Sequence, residues 1–162
     1  MRSFLALAAH AWLAHLIGAR RILVYGVAGA GKTTLSRRLA QRLELPHIER
    51  DLLSNEASAE FRAEAAAVSS RNAWIFDGPP YYAEDIVLPR AQLIVALDYP
   101  KHVVMRRVFW RSLRGRCRWW VVWWAWKTWK RRRSEIDELE RDGHAVVRLR
   151  SPRDAARWLA QL

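Results

Sequence analysis

Gly26-Val27-Ala28-Gly29-Ala30-Gly31-Lys32-Thr33 is the stretch that decides the fold. It fits the pattern G-x-x-x-x-G-K-[ST], a loop shaped to hold phosphate. Glycines let successive backbone N–H groups turn inward and approach phosphate oxygens with no β-carbon in the way. A helix beginning near Lys32 adds its positive dipole end. In such a loop the lysine reaches the β- and γ-phosphates, and the Ser/Thr hydroxyl ligates magnesium. The expected phosphate contacts are Gly26, Gly29, Ala30, Gly31, Lys32, Thr33 and Thr34. The expected ligands are ATP, or another nucleoside triphosphate, and Mg2+. About one chain of this length in two hundred carries the pattern by chance. The context narrows that further. Residues 21–25 form a β-branched and aromatic run that predicts a buried strand, and Leu35, Leu39 and Leu43 recur at helical spacing.

Outward from this loop, strand and helix patterns alternate. Residues 45–48, 73–76, 92–97 and 145–149 predict four more strands. Residues 32–43, 56–69, 101–114, 119–139 and 151–159 predict helices. Such alternation implies a parallel sheet covered on both faces. The 162 residues fit one domain, here residues 21–162, with residues 1–20 as an N-terminal extension. Within the extension Phe4, Leu5, Ala8, Trp12 and Leu16 lie near one helical face. Its apolar run is too short for a membrane span and is interrupted by His10 and His15, to which no role is assigned. One cysteine, Cys117, leaves no disulfide framework and no zinc spacing, which suits a reducing, cytoplasmic setting.

In parallel sheets of this kind, ligands gather at the carboxyl ends of the strands. Three aspartates fall there. Asp77 is expected to hold the water shell of magnesium, and Asp51 (or Glu49) to face the phosphoryl acceptor. Asp98 is expected to cap the next helix.

The order of phosphate loop, then Trp74-Ile75-Phe76-Asp77-Gly78, then residues 93–100, then an Arg-rich helical segment is similar to adenylate-kinase-related proteins of the topology modulation (FlaR) type. Trp123-Trp124-Ala125-Trp126 followed by Lys130-Arg131-Arg132-Arg133 resembles the aromatic and basic helix of that group. The resemblance covers residues 21–162. It implies the α/β P-loop NTPase fold of nucleoside-monophosphate kinases: a three-layer sandwich on a five-stranded parallel sheet of order 2-3-1-4-5. It also implies that Ser151 and Pro152, ahead of Arg153, lie beside the nucleotide base. Two departures stand out. The insert between the two helices after the fourth strand is short. The acceptor side lacks a phosphate-gripping arginine unless Arg50 or Arg62 supplies it.

The net charge is +12, and residues 101–133 hold twelve Lys or Arg with no Asp or Glu, so this segment equals the whole excess. An anionic partner is implied: nucleotide phosphates, nucleic acid or an acidic membrane surface. Arg107, Arg111, Arg114 and Arg118 would share one stripe of a continuous helix. Arg111 and Arg114 are the expected catalytic pair of a lid spanning about residues 106–133, alongside Lys32, Asp51 and Asp77. The seven tryptophans at 110, 119, 120, 123, 124, 126 and 129 are expected mainly to pack as core. No transmembrane span is expected, because Lys127 and Lys130 end the apolar run. Two functional readings follow: an ATP-dependent phosphotransferase or weak ATPase, or a nucleotide-responsive nucleic-acid-binding protein using residues 101–133.

Overall fold

The computed structural model describes residues 18–54, 58–115 and 117–162. The helical extension expected over residues 1–20 lies, up to residue 17, outside the described residues. Strands β1 (Arg21–Gly26), β2 (His47–Glu49), β3 (Trp74–Asp77), β4 (Leu93–Leu97) and β5 (Val146–Leu149) form one parallel sheet of order β2-β3-β1-β4-β5. Central β1 pairs with β3 through Val24 opposite Asp77, and with β4 through Gly26 opposite Leu97. That register sets the carboxyl ends of β3 and β4 on either side of the phosphate loop.

The helices are α1 (Lys32–Leu43), α2 (Ala59–Ser69), a short α3 (Glu84–Val87), α4 (Lys101–Leu113), α5 (Trp120–Arg141) and α6 (Pro152–Ala160). Side chains alternate across a strand, so β1 feeds two cores. Ile22 and Val24 join Leu35, Leu39, Val104, Val108 and Leu159 on one face. Leu23 and Tyr25 join Phe61, Ala65, Trp74 and Phe76 on the other. Helix α5 belongs to both: Ala125 packs in the first core, Ile136 and Leu139 in the second. The periodic segments therefore fold as their patterns require. The four-residue α3 escapes the pattern because it is too short to show a period.

Three expectations change. Asp98 does not cap α4, whose N-cap is Pro100 and has no side-chain bond. Its buried carboxylate instead accepts from Arg148 Nε at 2.8 Å and pairs with Arg133 Nε at 3.2 Å. The arginine stripe is not continuous, because α4 ends at Leu113 and Gly115 turns the chain at φ 65° before Arg118. The tryptophans are not core. Six of the seven (all but Trp129) are 45–59% exposed, so each forgoes part of the roughly 1.5–3 kcal/mol that full burial of a large apolar side chain brings. The physical reason is register: Ala125, Thr128 and Arg132 take the inner stripe of α5, leaving its outer half to tryptophan.

Candidate active site

The phosphate loop joins β1 to α1. Gly31 takes the N-cap position at φ 97° with no side-chain cap, and the first helical bond runs from Leu35 N–H to the Gly31 carbonyl. The amides of Lys32, Thr33 and Thr34 thus precede the helical ladder, where an anion is favoured. Gly29 is required for two reasons. Its φ is +83°, and a β-carbon there would lie 2.1 Å from Val108 Cγ2 of α4. The Ala30 N–H is taken up by the Val27 carbonyl at 3.1 Å, so Ala30 shapes the loop from its buried position.

A cleft of about 270 Å³ opens beside the loop. Its floor is Gly29, Gly31, Lys32 and Thr33. One wall is Glu49, Arg50, Asp51, Asp77 and Gly78, and the other is Arg111, Cys117 and Val121. The Lys32 ammonium donates to the Val27 carbonyl at 3.2 Å. Its pKa is pushed down to about 8, chiefly by burial and further by Arg50 and Arg132, against the pull of Asp77 and Asp51. A β-carbon on Gly78 would lie 3.7 Å from Lys32 Cε and 3.8 Å from Arg50 Nε, so two cations flank that turn.

Asp77 is 7% exposed, and its Oδ1 has no hydrogen-bond partner. The nearest histidine atom, His47 Nε2, lies 3.7 Å from its other oxygen, beyond hydrogen-bond reach. A buried carboxylate oxygen without a partner is costly, and a bound cation would satisfy it. Thr33 lines the same cleft. The residues present therefore fit magnesium, for which the Thr33 hydroxyl and Asp77 would be the oxygen donors. Among the described residues no cluster of three His, Cys, Asp or Glu side chains forms a metal cage. Magnesium keeps waters and substrate phosphates as ligands, so a full cage is not required.

The remaining expected residues separate. Asp51 borders the cleft but is mostly exposed and pairs with Arg50 Nη2 at 2.6 Å. Arg50 itself donates to the Pro79 carbonyl at 3.3 Å and lies over the Tyr81 ring, 5.4 Å from its centroid. Arg62 is occupied elsewhere, paired with Asp85 at 2.8 Å. Arg111 lines the cleft, whereas Arg114 does not. Arg114 lines a second hollow of about 410 Å³ with Gly29, Arg106, Arg107, Trp110 and Arg111. Ser151 Oγ accepts from the Asp154 N–H at 3.1 Å, capping α6, and Pro152 is its first residue. Neither lines the two hollows.

Sequence reasoning missed Arg132, which is close enough to Lys32 to help lower its pKa. It is buried, bonds Glu135 and lies 4.2 Å from the Tyr81 ring centroid. Glu135 also accepts from the Tyr25 hydroxyl, whose pKa is raised by burial first and by this bond second. In sequence Arg132 is one of four consecutive basic residues, and only its helical spacing from Ala125 and Thr128 marks it as inward.

No family model matches this chain, and no curated protein matches it in sequence. Solved structures match it in fold. Shikimate kinase from Acinetobacter baumannii, in complex with shikimate, gives a TM-score of 0.57 at 21% identity, covering 89% of this chain and 90% of that one. A gluconokinase from Sinorhizobium meliloti gives 0.54 at 18% identity, covering 87% and 91%. Deoxyadenosine kinase from M. mycoides with bound dCTP gives 0.55 at 13% identity, covering 87% and 97%. The chain thus has the kinase-like P-loop NTPase fold. The neighbours support the fold that the sequence resemblance implies. The narrower part of that resemblance, to topology modulation proteins, gains no match among these three.

Proposed function

We propose that the chain is a cytoplasmic, ATP- and magnesium-dependent kinase acting on a small hydroxyl-bearing acceptor. The observation that carries this is the partnerless oxygen of buried Asp77 in the cleft that Lys32 floors. In this reading the loop amides and Lys32 hold the triphosphate, with Ser151 and Pro152 beside the base. Thr33 and Asp77 hold magnesium, which supplies charge neutralisation at the phosphates. Arg111, on the facing wall, adds positive charge where the transferred phosphoryl group develops negative charge. Arg114, next to it in the outer hollow, reinforces that charge from further away.

The acceptor side is the wall of Arg50 and Asp51. Arg50 is held by the Pro79 carbonyl, the Tyr81 ring and Asp51, and an anionic acceptor group would share this positioned guanidinium with Asp51. Asp51 receives the acceptor's hydroxyl proton as the oxygen attacks phosphorus. Glu49 and Asp51 are both paired with an arginine, at 2.7 Å and 2.6 Å, and Glu49 remains the alternative for that task. The fold neighbours act on shikimate, gluconate and deoxyadenosine, which motivates a screen of hydroxy acids, sugar acids, nucleosides and nucleoside monophosphates. Labelled ATP would be offered with each. Transfer to one class identifies the acceptor, and release of phosphate alone would reduce the reading to an ATPase.

A further inference from the structure

The outward face of α4 and α5 carries side chains that nucleotide chemistry does not explain. Eight of the ten exposed large apolar side chains among the described residues lie between Phe109 and Trp126. Contacts join members of this group across the two helices. The Phe109 ring meets Trp110 at 6.3 Å and Trp119 at 5.7 Å, and Lys101 of α4 sits 3.1 Å over the Trp126 ring of α5. Most of these side chains are outside the phosphate cleft; Trp110 alone borders the neighbouring hollow. Lys127 lies over Trp123 at 4.8 Å and Arg114 over Trp110 at 6.0 Å.

We infer that this face docks onto an anionic lipid bilayer, as a peripheral contact. The residue types are those of a headgroup interface, tryptophans with an apolar body and a polar edge, bracketed by Lys and Arg. Charge complementarity selects the surface: residues 101–133 hold no Asp or Glu to repel acidic headgroups. No helix among the described residues is long and apolar enough to cross a membrane, so the contact lies on the bilayer. Other occupants fit less well. Single-stranded nucleic acid stacks on open ring faces, and here Trp110, Trp123 and Trp126 each already carry a cation on one face. A second copy would bring like charge against like charge. Residues 1–17 contain no acidic side chain to neutralise the patch.

Flotation of the full chain with vesicles tests this, comparing phosphatidylcholine alone with a mixture holding about 30% phosphatidylserine. The protein should float with the anionic vesicles, at least about ten-fold more than with the neutral ones, and less as salt rises to about 0.5 M. Brominated acyl chains should quench its tryptophan emission. Replacing three exposed rings together (Trp120→Ser, Trp123→Ser, Trp124→Ser) should lower partitioning by about ten-fold or more, with circular dichroism unchanged. The quenching measurement needs no variant and stands even if the triple variant misfolds. Failure to float with anionic vesicles would overturn the inference, as would flotation without quenching. Binding of a single-stranded oligonucleotide without vesicle binding would assign the face to nucleic acid instead. A dimer dissolved by the triple change, again without vesicle binding, would assign it to a second copy.

Discussion

The Arg107 guanidinium donates to the Ala30 carbonyl at 2.9 Å, joining the middle of α4 to a phosphate loop 77 residues earlier in the chain. One residue on, Val108 fills the space that Gly29 leaves by lacking a side chain. The loop's shape is therefore held by the helix above it as well as by its own glycines, and α4 carries Arg111 to the cleft from the same anchor.

Gly29→Ala should accordingly cost more than backbone strain. The added methyl overlaps Val108 at 2.1 Å, and a φ of +83° adds about 1–2 kcal/mol for any L side chain. Chemical denaturation should show a loss of roughly 2–4 kcal/mol. Adding Val108→Ala relieves the overlap but not the φ strain, so the double variant should stay less stable than Val108→Ala alone. Equal midpoints for those two proteins would contradict this account of the loop.

The depressed pKa of Lys32 gives nucleotide binding a pH signature. Burial disfavours the charged ammonium, so in the free protein Lys32 loses its proton near pH 8 rather than near 10.5. For stability the sign is positive. Between those two values the unfolded chain binds the extra proton, so stability of the free protein rises with pH across that window. For binding the sign reverses, since phosphate needs the ammonium. Calorimetry in buffers of different ionisation enthalpy should show proton uptake on ATP binding at about pH 8.5. That uptake should vanish in Lys32→Met, and its persistence there would place the titrating group elsewhere.

Asp77→Asn keeps shape and removes charge. ATP should still bind, while magnesium-dependent turnover falls by about ten-fold or more. Oδ1 has no internal partner, which favours a neutral side chain, but the buried Lys32 ammonium loses a neighbouring carboxylate, so thermal stability should change little. Equal activity across a magnesium titration would move the metal role to Asp51. Asp98 is a poor candidate, because its carboxylate is spent on Arg148 and Arg133.

The centre of the sheet was legible because β1, β3 and β4 are short, mostly apolar runs ended by glycine or aspartate, and because a phosphate loop has one productive context. That Lys32, Thr33 and Asp77 line one cleft was legible for the same reason: their positions follow from strand ends. The lid was not. Arg111 and Arg114 have the same composition and nearly the same spacing, yet only Arg111 reaches the inner cleft, because α4 stops at Leu113. The tryptophans misled through their size. A large aromatic usually seeks core, but Ala125 and Thr128 occupy the inner stripe of α5, and no composition count reveals that choice.

That split makes a kinetic prediction. Arg111→Gln should cut turnover by about a hundred-fold with only a modest loss of ATP affinity, since its charge matters most at the transition state. Arg114→Gln, one hollow further out, should cost less than about ten-fold. Steady-state rates and calorimetric affinities of both variants settle the order. A larger effect at Arg114 would mean that the lid closes in a way that brings the outer hollow over the phosphates.

Transfer of labelled phosphate from ATP to small hydroxyl acceptors, by the wild type and by Lys32→Ala, tests the central claim most directly. The Lys32 ammonium donates only to the Val27 carbonyl among the described hydrogen bonds, so the variant should fold normally and melt within a few degrees of the wild type. The account predicts a labelled acceptor with the wild type and none above background with Lys32→Ala. Undiminished transfer by a folded Lys32→Ala protein, or a wild type that neither binds ATP nor transfers its phosphate to any acceptor, would contradict it.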